Sequence, residues 1–212
     1  MIQLAQNAAG FKGSVAVESR GQRYTYDYLL ASSETLAMEL LGNDDDLNEA
    51  RVAFMISPGI DYVTTQWAIW RAGGICVPLC ITYPLPSLEY VLEDTAASII
   101  VVTREYAPIL SAWAAERSIR FIVLDTSNAS EKRSSLPVID RERGAMILYT
   151  SGTTSKPKGV VTTHRNIEAQ VSTLVNAWHW TASDHALCVL PLHHVHGIIN
   201  VIACALCRGA TV

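Results

Sequence analysis

Apolar and polar positions along this chain change period again and again, from the two-residue alternation of strands to the wider spacing of helices. Residues 15–18 and 22–25 read as two short strands, with Arg20-Gly21 as the hairpin turn between them. Thr25 is placed to cap a helix running to about Leu41, with Leu29, Leu36 and Leu40 on one face and Gly42 as its stop. Residues 51–57 form a continuous apolar run, expected as a buried strand. A helix over 61–72 follows, with Val63, Trp67 and Trp70 at helical spacing and Gly73-Gly74 at its end. A strand at 75–79 is closed by the punctuation of Pro78, Pro84 and Pro86. Strand 98–103, helix 105–116 and strand 120–124 continue the series.

After a Ser-rich, charged stretch without periodicity, the alternation resumes at strand 145–148 and strand 159–162. A helix from Asn166 carries Ile167, Val171, Leu174 and Trp178 on one stripe. A strand at 186–190 and an apolar helix after Gly197 come last. Strands separated by helices of this length predict an α/β fold, with mostly parallel sheets and flanking helices. The domain reading is an α/β region over 1–125, a linker-like loop over 126–137 and a second α/β region over 138–212. Residues 208–212 read as a turn entering a strand, so the chain is expected to be cut from a longer one.

Half of the 212 residues are apolar and 17% are charged, which predicts a substantial core. The net charge of −4 argues against bulk electrostatic binding to nucleic acid or to an anionic membrane. No apolar stretch is long enough to span a bilayer, and residues 1–13 lack the apolar segment of a signal peptide. Five cysteines with no regular framework suit a reducing compartment, and the expected location is the cytoplasm. Cys204 and Cys207 form a C-x-x-C inside an apolar run, read as buried small residues rather than a redox pair. The acidic loop 43–49 is expected to be a solvated connection rather than a metal site. Oligomeric state is not written in these patterns.

The chemistry concentrates in Leu148-Tyr149-Thr150-Ser151-Gly152-Thr153-Thr154-Ser155-Lys156-Pro157-Lys158-Gly159. Ser and Thr hydroxyls, glycines that free backbone N–H groups, and two lysines are the donors and charges that hold a polyphosphate. The nucleotide-binding pattern G-x-x-x-x-G-K-[ST] does not fit: its second glycine would fall at Pro157. A simple Ser/Thr/Gly surface turn leaves the lysines on either side of Pro157 without a purpose.

Residues 149–160 instead resemble the [YF]-T-S-G-T-T-G-x-P-K-G-V signature of the adenylate-forming family, which includes acyl-CoA synthetases, luciferases and peptide-synthetase adenylation domains. Three further segments resemble that family in the family's order. They are Tyr24-Thr25-Tyr26-Asp27-Tyr28-Leu29, Trp70-Arg71-Ala72-Gly73-Gly74-Ile75-Cys76-Val77-Pro78-Leu79 and Pro191-Leu192-His193-His194-Val195-His196-Gly197. The last of these, with the rest of the chain, looks most like the malonyl-CoA synthetase branch.

The resemblance implies a truncated large N-terminal domain of an acid–CoA ligase that uses ATP, Mg²⁺ and coenzyme A on a small carboxylic acid. It implies that Thr150, Ser151, Gly152, Thr153 and Thr154 wrap the β- and γ-phosphates, with Ser155 and Lys156 completing the nucleotide-binding set. Lys158 would be a mobile catalytic cation, Thr150 the position nearest Mg²⁺, and His194 the floor of the acyl and adenylate pocket. Ser155 departs from the family's glycine, and a left-handed backbone there would cost serine ~1–2 kcal/mol; weakened nucleotide binding is the expected result. The family's Mg²⁺ carboxylate, ribose-binding aspartate and C-terminal lysine are not in these residues, so the chain by itself is expected to be inactive. An amino-acid-activating domain and a non-catalytic nucleotide- or metal-binding module are the competing readings.

All six histidines lie between His164 and His196. If residues 193–196 are extended, His194 and His196 share a face, and Cys188 lies near enough in sequence to complete a metal set. The tight spacing and the missing second ligand pair weigh against that set, and packing is the expectation for His193 and His196.

Overall fold

The structure is a computed structural model and describes residues 2–124, 135–150 and 156–212. Helix α1 (Gln3–Ala8) precedes a hairpin of β1 (Val15–Ser19) and β2 (Gln22–Thr25). Arg20 and Gly21 both take positive φ, 53° and 76°, as a tight two-residue hairpin turn requires. The Thr25 hydroxyl then accepts the Tyr28 N–H at 3.2 Å and starts α2 (Tyr26–Leu41), which Gly42 ends at φ 56°.

The main sheet is built from β3 (Arg51–Met55), β4 (Ile75–Pro78), β5 (Ile99–Thr103), β6 (Arg120–Leu124), β7 (Gly144–Thr150) and β8 (Lys158–Thr163). Its order is β6-β5-β3-β4-β7-β8, parallel at every pairing except β7 with β8. Side chains alternate between two cores, as a sheet covered on both faces must arrange them. Val52, Phe54, Cys76 and Val101 face one core with α2, α3 (Ile60–Arg71) and α6 (His164–Ala177). Ala53, Met55, Val77, Ile100 and Val102 face the other with α4 (Leu85–Asp94) and α5 (Ala107–Glu116). The α/β expectation therefore holds, with a mixed rather than purely parallel sheet. The segment after β6 lies outside the described residues as far as 134, and 135–137 carry no helix or strand.

Four local expectations need correction. Prolines 84 and 86 do not merely close β4: Pro84 is the N-cap of α4 and Pro86 sits in its first turn, where a missing N–H costs nothing. Residues 186–190 form no strand; only His185 makes an isolated bridge, to Thr211. Leu187 and Val189 are largely exposed there. The buried stripe of α6 is His164, Ile167, Val171 and Val175, while Trp178 caps the helix at 52% exposure. The apolar helix after Gly197 begins as a π-helix, His196–Ala203, before α7 (Cys204–Cys207). Thr211 is the partner of the His185 bridge, and Val212 donates to Ala16 at 3.0 Å and accepts from Glu18 at 2.7 Å.

Candidate active site

The phosphate-type motif is the tip of the β7–β8 hairpin. Thr150 is the last residue of β7 and lies opposite Lys158, the first of β8. Ser151, Gly152, Thr153, Thr154 and Ser155 lie outside the described residues. At the mouth, Thr150, Lys156 and Lys158 are all exposed, and among the described residues the Thr150 hydroxyl makes a long contact of 3.5 Å to the Lys158 carbonyl. β7 runs parallel to β4, so the mouth stands at the carboxyl end of the parallel strands. Open α/β sheets bind ligands at that end.

Helix α4, which the proline punctuation concealed, holds both feet of the motif. The Tyr149 hydroxyl donates to Asp94 Oδ2 at 2.5 Å, and the Tyr90 hydroxyl donates to the Pro157 carbonyl at 2.8 Å. Burial, followed by the Asp94 carboxylate, raises the Tyr149 pKa, so the hydroxyl stays a donor. Lys156 Nζ lies 5.0 Å from the centre of the Tyr90 ring. Leu88, Val91 and Leu92 at helical spacing were the sequence signal for this helix.

His194 belongs to a turn, not to an extended segment. Its N–H donates to the Pro191 carbonyl at 3.4 Å, and its own carbonyl accepts from Ile198 at 3.3 Å. The condition for the His194/His196 metal set is therefore not met. Among the described residues no group of three or more His, Cys, Asp or Glu side chains is gathered as a metal site. The His193 and His194 rings pack tilted at 50° with centroids 4.1 Å apart, and His193 meets Tyr83 at 5.8 Å. Tyr83 leads into α4, so the histidine turn and the hairpin mouth are tied to the same β4–α4 connection. The turn rests on the buried Tyr62, whose hydroxyl donates to the Leu192 carbonyl at 2.7 Å. Gly197 closes it: a Cβ there would come within 3.0 Å of the Pro191 carbonyl.

The acidic loop is not wholly solvated. Asp46 accepts two hydrogen bonds from Arg143, at 2.7 and 2.9 Å, and Arg143 also donates to the Gly73 carbonyl at 2.6 Å. Glu49 accepts the Gly144 N–H at 2.6 Å. This clamp fixes the start of β7, and so the strand that delivers the loop. Of the C-x-x-C pair, Cys204 is buried, its pKa raised to about 12 by burial and then by Cys207; both are free thiols.

A doubly covered α/β sheet thus carries a cation- and hydroxyl-bearing hairpin at its carboxyl end, the architecture of the N-terminal domains of adenylate-forming enzymes. The chain matches the AMP-binding enzyme family over residues 4–212, and it belongs to that family. It is 42% identical, over 96% of its length, to the mitochondrial malonate–CoA ligase of Mus musculus, and 40% identical over 96% to that of Homo sapiens. It spans 37% of the length of each of these relatives. Apo MatB from Rhodopseudomonas palustris superposes with a TM-score of 0.86 at 25% identity, covering 100% of this chain and 44% of that one. The ATP-bound form of MatB superposes at 0.81, also at 25% identity, with the same coverage.

Proposed function

We propose that this chain is the phosphate-gripping part of an ATP-dependent acid–CoA ligase that takes malonate. The carrying observation is the hairpin mouth, where Thr150, Lys156 and Lys158 stand exposed at the carboxyl end of the sheet in a member of the AMP-binding family. The malonate reading is supported by the names of the mouse, human and Arabidopsis thaliana relatives.

In the reaction, a carboxylate oxygen attacks the α-phosphorus of ATP and pyrophosphate leaves. A thiolate then attacks the acyl carbonyl and AMP leaves. Negative charge builds on the departing pyrophosphate, and each lysine at ~4 Å and an effective dielectric of about 20 contributes roughly 4 kcal/mol of attraction per unit charge. Ser151 to Thr154 supply the remaining donors in this reading, Ser155 weakens their grip, and His194 borders the acyl group. Thr150 would offer magnesium one hydroxyl, with water and the nucleotide's phosphate oxygens supplying the rest of the octahedral shell such an ion keeps.

The absence of a membrane-crossing helix among the described residues fits a ligase acting on small polar substrates. The compartment expectation changes: the mouse and human relatives are named mitochondrial, so the cytoplasm has no priority.

Acid-dependent ATP–pyrophosphate exchange by the full-length protein tests the proposal, with malonate expected to lead a panel of mono- and dicarboxylates. Lys158→Ala is expected to lower that exchange by ~100–1,000-fold, as loss of one transition-state donor does. A polypeptide of these 212 residues alone is expected to give none. No exchange by the full-length protein with any acid, or an amino acid leading the panel, would overturn the reading.

A further inference from the structure

Tyr90 and Asp94 stand one turn apart on α4 and point at the same hairpin. Between them they reach one residue before the loop and two after it. Asp94 takes the Tyr149 hydroxyl at 2.5 Å, Tyr90 holds the Pro157 carbonyl at 2.8 Å, and the Tyr90 ring carries the Lys156 ammonium at 5.0 Å. The two tyrosine rings also meet edge to face, with centroids 6.0 Å apart. The two strands pair with each other up to Thr150 opposite Lys158, but β7 pairs with β4 only at Met146, so the ladder ties the strand ends to one another rather than to the rest of the sheet. β8 is the sheet's outer strand, Lys158 to Val161 are exposed, and the Thr150 hydroxyl contact is 3.5 Å long. Among the described residues, helix α4 therefore ties these paired strand ends to the body of the domain.

We propose that Tyr90 and Asp94 are positioning residues for the phosphate loop, and that the Tyr90 ring is the resting seat of Lys156, from which its ammonium moves to an incoming polyphosphate. The proposal rests on the phosphate reading of the loop above. An exposed lysine on a single aromatic face is held less strongly than the same lysine beside a chain of phosphate charges, so the seat yields when the nucleotide arrives. Until then it keeps a flexible cation beside the loop rather than dispersed in solvent. The hydroxyl of Tyr90 and its ring have separate tasks, and two substitutions separate them. Tyr90→Phe removes the hydrogen bond to Pro157 and keeps the seat; Tyr90→Leu removes both.

Amide exchange followed by mass spectrometry, thermal melting and the ATP dependence of pyrophosphate exchange in the full-length protein test this together. Asp94→Ala and Tyr90→Leu are expected to speed exchange of peptides from β7 and β8 at least ~5-fold and to leave other peptides and Tm nearly unchanged. Both should raise the KM for ATP ~5–20-fold with kcat within about two-fold, and Tyr90→Phe should fall between them and the parent. Lys156→Ala should add little to Tyr90→Leu, because the seat and its occupant act as one unit. Unchanged hairpin exchange in Asp94→Ala overturns the positioning role. Additive losses in the Lys156→Ala/Tyr90→Leu pair overturn the seat. A parent that binds no ATP overturns the phosphate reading instead, and hairpin exchange then decides the anchoring by itself.

Discussion

Replacing Gly73 by alanine is expected to cost about 2–5 kcal/mol, a large part of the ~5–15 kcal/mol that holds a domain folded. Gly73 and Gly74 end α3 as a Schellman pair: Gly73 N–H donates to Trp70 at 3.2 Å and Gly74 N–H to Ile69 at 2.9 Å. Gly73 holds φ at 82°, which a side chain tolerates at ~1–2 kcal/mol. A Cβ there would also overlap Asp46 Oδ1 and lie 2.9 Å from Arg143 Nη2. It would therefore force open the bidentate pair that ties the acidic loop to β7. Losing partners for these half-buried charges adds roughly 1–3 kcal/mol.

The two contributions separate in a double-mutant cycle read by urea unfolding. In an Arg143→Ala background, Gly73→Ala should cost only the backbone share, about 1–2 kcal/mol. Equal costs in both backgrounds would show that the clamp is not what the methyl group disturbs. The Asp46 pKa is lowered, chiefly by its hydrogen bonds from Arg143. Its stabilisation is accordingly present above the ordinary aspartate range and lost as the pH falls through its lowered pKa.

Gly73 also shows how far the chain is legible as sequence. The double glycine was readable as a helix stop, because helix ends are local. What it stops against was not, because Asp46, Gly73 and Arg143 meet only after three crossovers and a long connection. For the same reason the acidic run 43–49 read as solvated: one carboxylate in it has a partner 97 residues away. The buried strands β3 and β5 and the stripe of Trp67 and Trp70 were legible, since periodicity needs no tertiary information. Helix α4 was missed where Pro84 and Pro86 looked like breakers; Leu88, Val91 and Leu92 mark it as a helix with prolines at its tolerated end. The site divides likewise. The loop composition announced phosphate chemistry, but Tyr90 and Asp94 have no local signature, because their function is to touch a hairpin some 55 to 67 residues further on.

Between pH 7.5 and 4.5 the protein is expected to lose roughly 2–3 kcal/mol of stability through one side chain, His164. His164 is the first residue of α6, is 7% exposed and lies edge-on to Trp70 at 5.9 Å. Its pKa is lowered to about 4, first by burial and then by the positive charge of Arg143, with Glu49 opposing. The helix N-terminus beneath it also disfavours a cation. The sign follows from the proton count: between the two pKa values the unfolded chain binds a proton that the folded one refuses. Stability therefore rises with pH and is full above the unfolded value. His193 is lowered by burial and by His194, but it is partly exposed and contributes less. His164→Phe keeps an aromatic edge against Trp70 and removes the titration. Urea unfolding at pH 7.5 and 4.5 should then give a difference at least 2 kcal/mol smaller in the variant than in the parent. Equal slopes in parent and variant would assign the acid sensitivity to the carboxylates, with the Asp46–Arg143 clamp the next place to look, because its loss sets in at lower pH than that of His164.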